Sequence, residues 1–191
     1  RRIAIPDRIR LRGTAGADKG AFSAASTLST DGGEIALQGQ LDTRSEAYEI
    51  ELRCDSFPLN RFLPADSLGL LDLALQAGGS GFDPLRAQTR GNIRLQVDRA
   101  EFRGRDFGGV ELNANLEGGQ LSGRLSDRDE ALRLLLLVSG TLTERKQEVR
   151  LTGNVFDFDL AELGISPQKI GGSFALEAGA SASDAGSYTA R

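Results

Sequence analysis

Apolar residues recur at every second position along most of this chain, and almost no stretch carries the three-to-four-residue spacing of an amphipathic helix. Ile9 and Leu11 stand among Arg8, Arg10 and Arg12, and Ile50 and Leu52 among Glu49, Glu51 and Arg53. Ile35, Leu37 and Leu41 repeat the spacing, as do Leu71, Leu73 and Leu75. Ile93, Leu95 and Val97 alternate with Asn92, Arg94, Gln96 and Asp98; Val110, Leu112, Ala114 and Leu116 and then Leu132, Leu134, Leu136 and Val138 continue the pattern. Successive side chains of a strand point to opposite faces, so each segment has one oily side and one wet side. The chain is expected to be all-β, a long sheet greasy on one face.

Turn chemistry sets the connectivity. Gly- and Asp-rich clusters such as Ala17-Asp18-Lys19-Gly20, Asp31-Gly32-Gly33, Gly104-Arg105-Asp106 and Glu117-Gly118-Gly119 separate the alternating segments. Loops this short join antiparallel neighbours and cannot cross over to a parallel strand, which predicts a meander. Strands are expected near 8–15, 21–30, 33–42, 47–55, 70–78, 88–98, 99–103, 107–117, 120–126, 131–143, 147–155 and 172–179. Two stretches, Phe57-Pro58-Leu59-Asn60-Arg61-Phe62-Leu63 and Phe158-Asp159-Leu160-Ala161-Glu162-Leu163-Gly164, read instead as short apolar crossovers. In the second, Asp159 is placed to cap one helical turn and Gly164 to end it.

Those two stretches lie 101 residues apart, and the offset extends along the chain. Gly39, Leu41 and Arg44 correspond to Gly140, Leu142 and Arg145; Leu75, Ala77 and Gly78 correspond to Leu176, Ala178 and Gly179. The order of strands, crossovers and turns therefore predicts two repeats, 1–101 (starting mid-repeat) and 102–191 (truncated at its C-terminal end). The tail from Gly179 to Arg191 is expected to begin a connection, with the next strand beyond Arg191 in a longer protein of which this chain is a piece. Gly39 and Gly140 fall inside strands at equivalent places, where glycine often marks a bulge or bend, and are expected to help curl the sheet.

Composition closes off several function classes. Acids and bases are interspersed, with a net charge of −4, which is not the footprint of a nucleic-acid binder. The chain has no His, so imidazole-based triads and metal sites are excluded, and its one cysteine, Cys54, has no imidazole to activate it and no partner for a disulfide. Asp127, Asp129 and Glu130 read as a turn and Asp157 and Asp159 as a turn or cap, since neither set carries the remaining ligands of a calcium loop. With no phosphate-cradling glycine loop, no enzyme and no cofactor are expected. No apolar run approaches the roughly 20 residues of a membrane-spanning helix, and with no Trp and only Tyr48 and Tyr188 there is no aromatic girdle of a membrane barrel.

The frame Gly81-Phe82-Asp83-Pro84 followed by Gly91-Asn92-Ile93-Arg94-Leu95, the segment Leu121-Ser122-Gly123-Arg124-Leu125-Ser126-Asp127, and the Phe158 to Gly164 stretch resemble the AsmA-like superfamily, most closely its TamB family. The resemblance implies a curved, U-shaped β-groove, or β-taco, with an apolar concave face and about two repeats in this chain. It also implies part of a periplasm-spanning bridge-like protein, anchored in the inner membrane and reaching the outer membrane through regions outside this piece. Such a protein shields phospholipid acyl chains in transit between the membranes, contributes to outer-membrane biogenesis, and works with an outer-membrane barrel protein of the TamA type.

A one-sided oily sheet must curl on itself, pack on a second sheet, or hold something oily. Under the last alternative the expected groove lining is Ile35, Leu37, Ile50, Leu52, Leu73, Leu75, Ile93, Leu95, Val110, Leu112, Leu134, Leu136, Val149 and Leu151, smooth aliphatic surface without placed polar groups. Two other readings stay open. One is an assembly chaperone for outer-membrane proteins that lends a strand edge to a client; the other is a sealed structural or adhesive β-repeat whose apolar face is simply its core.

Overall fold

The computed structural model describes residues 8–62, 68–183 and 188–190. Thirteen strands follow in order: β1 Ile9–Asp18, β2 Ala21–Thr30, β3 Glu34–Asp42, β4 Ala47–Pro58, β5 Leu68–Ser80, β6 Arg90–Phe102, β7 Arg105–Phe107, β8 Val110–Glu117, β9 Gln120–Arg128, β10 Leu132–Leu142, β11 Lys146–Asp159, β12 Gly171–Ser183 and β13 Tyr188–Ala190. The protein is all-β, and its strands, apart from β7, which pairs only with β6, neighbour one another in chain order as an antiparallel meander. Two compact units partition it: Arg1–Gly78 with Arg94–Gly109, and Gly79–Ile93 with Val110–Arg191. These units follow packing, and the expected 1–101 and 102–191 repeats follow a sequence offset. Strands β1 to β5 begin at Ile9, Ala21, Glu34, Ala47 and Leu68, and β8 to β12 begin at Val110, Gln120, Leu132, Lys146 and Gly171.

Three hairpins owe their tightness to paired left-handed residues. Lys19 and Gly20, Arg103 and Gly104, and Gly118 and Gly119 all have positive φ, the geometry whose twist matches that of the flanking strands. They join Asp18 to Ala21, Phe102 to Arg105 and Glu117 to Gln120. The Arg103-Gly104 turn corrects the expected 88–98 and 99–103 strands: the chain runs on unbroken as β6, and the short β7 folds straight back onto it. The expected 107–117 strand likewise divides at Gly108 and Gly109, where the Gly109 N–H donates to the Val97 carbonyl at 2.9 Å.

The two apolar stretches do not cross over. After β4 the chain makes one 3-10 turn, Leu59–Arg61, with the Phe57 and Phe62 rings stacked 4.9 Å apart, and returns as the adjacent β5. Leu63, which closes the first stretch, lies outside the described residues. After β11, Asp159 Oδ1 accepts the N–H groups of Ala161 and Glu162, the Leu163 N–H bonds the Asp159 carbonyl at 2.9 Å, and Gly164 ends the turn at φ +69°. The chain then returns as β12, antiparallel to β11. The expectation that the next strand lies beyond Arg191 is also corrected, because β12 continues to Ser183 and β13 pairs Ala190, Thr189 and Tyr188 with Ala180, Ser181 and Ala182.

Core is scarce. Among the described residues the buried apolar side chains are Cys54, Phe57, Pro58, Ala131 and Val155, and no large side chain is completely enclosed. A globular domain of this length draws its stability from a contiguous core of buried aliphatics. Here the meander's hydrogen-bond ladder is laid down while most of its aliphatic side chains keep part of their surface in solvent.

An apolar face as candidate functional site

Strand register decides which side chains share a surface. In the first unit, pairing runs Leu11–Leu28–Ile35–Cys54 across β1 to β4, then Gly13–Ser26–Leu37–Leu52, Ala15–Ala24–Gly39–Ile50 and Ala17–Phe22–Leu41–Tyr48. These four rows form one apolar face. Its reverse carries Arg12–Thr27–Ala36–Arg53, Thr14–Ala25–Gln38–Glu51 and Gly16–Ser23–Gln40–Glu49. On β5, Gln76 Nε2 donates to Glu51 Oε1 at 3.1 Å, which places Gln76 on the polar side and, by alternation, Leu73 and Leu75 on the apolar one.

The second unit repeats the arrangement. Leu112–Leu125–Leu136–Gly153–Leu176, Ala114–Gly123–Val138–Leu151–Ala178 and Leu116–Leu121–Gly140–Val149–Ala180 are rows of its apolar face across β8 to β12. The reverse carries Asn113–Arg124–Leu137–Thr152–Glu177 and Asn115–Ser122–Ser139–Arg150–Gly179.

The structure thus brings Ile35, Leu37, Ile50, Leu52, Leu73 and Leu75 onto one face of the first unit, and Leu112, Leu134, Leu136, Val149 and Leu151 onto one face of the second, with Val110 in phase with Leu112. Ile93 and Leu95 share one face of β6, a strand whose residues divide between the units. Leu135 and Leu137, inside the longest apolar run, fall on the polar face instead. Sequence reasoning left Phe22 and Leu28 out of the lining because β2 carries small residues on both sides, Ser23, Ala25 and Thr27 facing Ala24 and Ser26, so its alternation is weak.

This face is open to solvent. Leu11 is 71% exposed, Phe22 47%, Leu37 43% and Ile50 41%, and Phe174 at the far end of the second unit's face is 52% exposed. Scattered exposed aliphatics are ordinary; here Leu11, Leu37, Ile50 and Phe22 fall one in each of the four rows of a single apolar face, among half-buried Leu28, Ile35, Leu41 and Leu52, and an apolar surface shared in this way suits contact with something apolar. Strands lie about 4.8 Å apart, so the four of β1 to β4 span about 15 Å, comparable to one leaflet of a hydrocarbon core about 30 Å thick. Covering a half-exposed Leu or Phe contributes on the order of 1 kcal/mol, and burying each methylene of an acyl chain a similar amount.

Polar groups are sparse on the face, and one of them is informative. Asp127 stands in the row Asp127–Leu134–Val155–Phe174, accepts the Asp129 N–H at 2.9 Å, and has its carboxyl pushed above the usual range chiefly by burial. Asp129 in turn accepts the Ala131 N–H at 2.8 Å, so the Asp127-Asp129-Glu130 cluster is a turn. Cys54 ends a row of the first unit's face, its thiol raised by burial and by the carboxylates of Asp55 and Asp72. Among the described residues no group of three or more His, Cys, Asp or Glu could hold a metal ion, and no helix is long and apolar enough to cross a membrane.

Gly39 and Gly140 sit within regular pairing, with no register shift at either. The register shifts instead between Arg133 and Leu134 and between Val155 and Phe158, around Phe156.

No family model, curated protein or solved structure matches this chain. The function is therefore argued from the surface.

Proposed function

We propose that this chain is a segment of a periplasmic bridge-like protein that carries phospholipid acyl chains along its apolar face, between inner and outer membrane, without catalysis. The observation that carries the reading is the in-register apolar face of the first unit, four strands wide, on which Leu11, Phe22, Leu37 and Ile50 are exposed. The scarcity of buried apolar residues supports it against a sealed β-repeat, in which the same side chains would be core. The face lacks converging polar anchors, which suits a chemically uniform chain over one defined ligand. The likeness to the AsmA-like superfamily points the same way and adds the envelope setting, including a TamA-type barrel partner for the longer protein. Mass spectrometry of organic extracts from the purified chain tests it: phospholipid recovered with wild type and lost with Leu37→Asp supports the proposal, whereas lipid-free wild type counts against it.

A second reading draws on β1. All ten of its residues are exposed and, among the described residues, it pairs on one side only, with β2. An open edge of that length is a template for strand addition, which favours a chaperone role toward outer-membrane strands. Disulfide crosslinking from a cysteine at Thr14 to a client hairpin distinguishes it, since an acyl-chain carrier has no need of that contact.

A further inference from the structure

Within the second unit, the loop between β5 and β6 meets the β10–β11 turn and leaves an open cleft of about 580 Å³. Leu85, Arg86 and Gln88 form one wall, and Thr143, Glu144 and Arg145 the other. That volume lies in the roughly 300–1,000 Å³ range of small-molecule sites. Both walls are held by their own hydrogen bonds. Asp83 Oδ1 accepts the Leu85 N–H at 3.0 Å, the Asp83 carbonyl accepts the Arg86 N–H at 3.2 Å and the hydroxyl of the buried Thr89 at 2.6 Å, and Asp83 Oδ2 lies 3.3 Å from Arg86 Nε. Opposite, Thr143 Oγ1 accepts the Lys146 N–H at 3.1 Å and donates to the Lys146 carbonyl at 3.0 Å.

Charge in the cleft is mixed in a particular way. Arg86 is turned by Asp83 through its Nε, which leaves the outer guanidinium edge for another acceptor, while Glu144 and Arg145 make no ion pair among the described residues. A simple anion meets repulsion from Glu144, and a simple cation meets repulsion from both arginines. A group carrying a phosphate and an ammonium a few bonds apart satisfies all three side chains. The cleft also opens where the apolar face ends, since Thr143 directly follows Leu142, the last residue of β10, which is in phase with Gly140 and Val138 on that face.

We infer that this cleft takes the zwitterionic headgroup of a phospholipid, with phosphate on Arg86 and Arg145 and the ammonium on Glu144, while the acyl chains lie on the apolar face. The inference rests on the acyl-chain reading above and deepens it by naming the lipid class. Guanidinium–phosphate bonds are charge-assisted and geometrically selective, so they discriminate headgroups where the aliphatic face does not.

The test measures binding of the purified chain to fluorescently tailed phosphatidylethanolamine, phosphatidylglycerol and diacylglycerol with identical acyl chains. Arg145→Ala, at an exposed side chain, is expected to weaken phosphatidylethanolamine binding about tenfold and to leave diacylglycerol binding unchanged. Glu144→Gln is expected to erase the preference of wild type for phosphatidylethanolamine over phosphatidylglycerol. Unchanged phosphatidylethanolamine binding in Arg145→Ala, or no headgroup preference in wild type, overturns the headgroup site and leaves the acyl-chain reading standing. Soluble glycerophosphoethanolamine that binds as tightly as the lipid overturns the lipid source of the headgroup. Wild type that binds neither phospholipid nor diacylglycerol overturns this inference and the acyl-chain reading together.

Discussion

Leu37 on β3 stands directly across from Leu52 on β4, on a face where Leu37 keeps 43% of its surface in solvent. Two aliphatic side chains paired in register, with nothing laid over the outer one, are the unit from which the apolar surface is built. On the acyl-chain reading, lipid binding and stability therefore depend on different residues. Leu37→Asp is expected to cost no more than about 1 kcal/mol of stability, because its side chain already meets water, while removing lipid binding. Phe57→Ala, at a side chain only 2% exposed and stacked on Phe62, is expected to cost about 3 kcal/mol or more. Urea denaturation of both variants beside a lipid-binding assay separates the two effects.

Gly39 and Gly140 are expected to behave unequally. A methyl group at Gly39 would rest 3.7 Å from the Glu49 carbonyl, an ordinary contact, so Gly39→Ala should gain about 0.5–1 kcal/mol from reduced chain entropy. At Gly140 the same methyl would run into the backbone carbonyl of Glu148 and the Cα of Val149, and Gly140→Ala should lose on the order of 1–3 kcal/mol. Thermal melts of the two single variants check the difference in sign.

Burial holds the Asp127 carboxyl above its ordinary range, so the folded chain binds that proton more tightly than the unfolded chain does. Stability from this group is present at low pH and is lost as pH rises from the ordinary carboxylate range through the raised value. Asp127→Asn is thus expected to raise the melting temperature at pH 7 and to make no difference near pH 3. Asp42 has the opposite sign: the N–H groups of Arg44 and Ser45 hold its carboxyl low, so its contribution fades as pH falls. Melting curves of Asp42→Ala across the same pH range should show a deficit at pH 7 that shrinks in acid.

Cys54 is expected to resist alkylation. Its side chain is buried and its thiol is pushed up by burial and by the nearby Asp55 and Asp72, so the thiolate is scarce at neutral pH. Iodoacetamide labelling of the native chain should be slow and should become rapid in urea; fast native labelling would show that this end of the β4 row is uncovered.

Period-two alternation made the strands legible because the polar face is so charged: Glu49, Glu51 and Arg53 leave Ile50 and Leu52 one side to occupy. The same signal placed most of the lining residues on common faces. It failed where side chains are small on both sides, as in β2; in the run that is apolar throughout, the alternation of Leu132, Leu134, Leu136 and Val138 matches the ladder, which leaves Leu135 and Leu137 on the polar face. Turn placement was legible at Lys19-Gly20, Gly32-Gly33 and Gly118-Gly119, and less so at Arg103-Gly104, where Arg105 and Asp106 belong to β7. The unbroken passage of β6 through Arg99 was not, since a strand end is set by where the partner's hydrogen bonds stop. Nor was the irregularity at Phe156 legible, because an extra residue in one strand leaves no compositional mark. The cleft at Arg86 and Arg145 brings together segments more than fifty residues apart, which no local pattern announces.

Photo-crosslinking resolved by sheet face addresses the acyl-chain reading most directly. A photoreactive residue is placed at Leu37 or Ile50 on the apolar face and, separately, at Gln38 or Glu49 on its reverse, and each chain is irradiated with phospholipid. Lipid adducts at Leu37 and Ile50 with none at Gln38 and Glu49 are expected. Equal labelling of both faces, or none at Leu37 and Ile50, would contradict it.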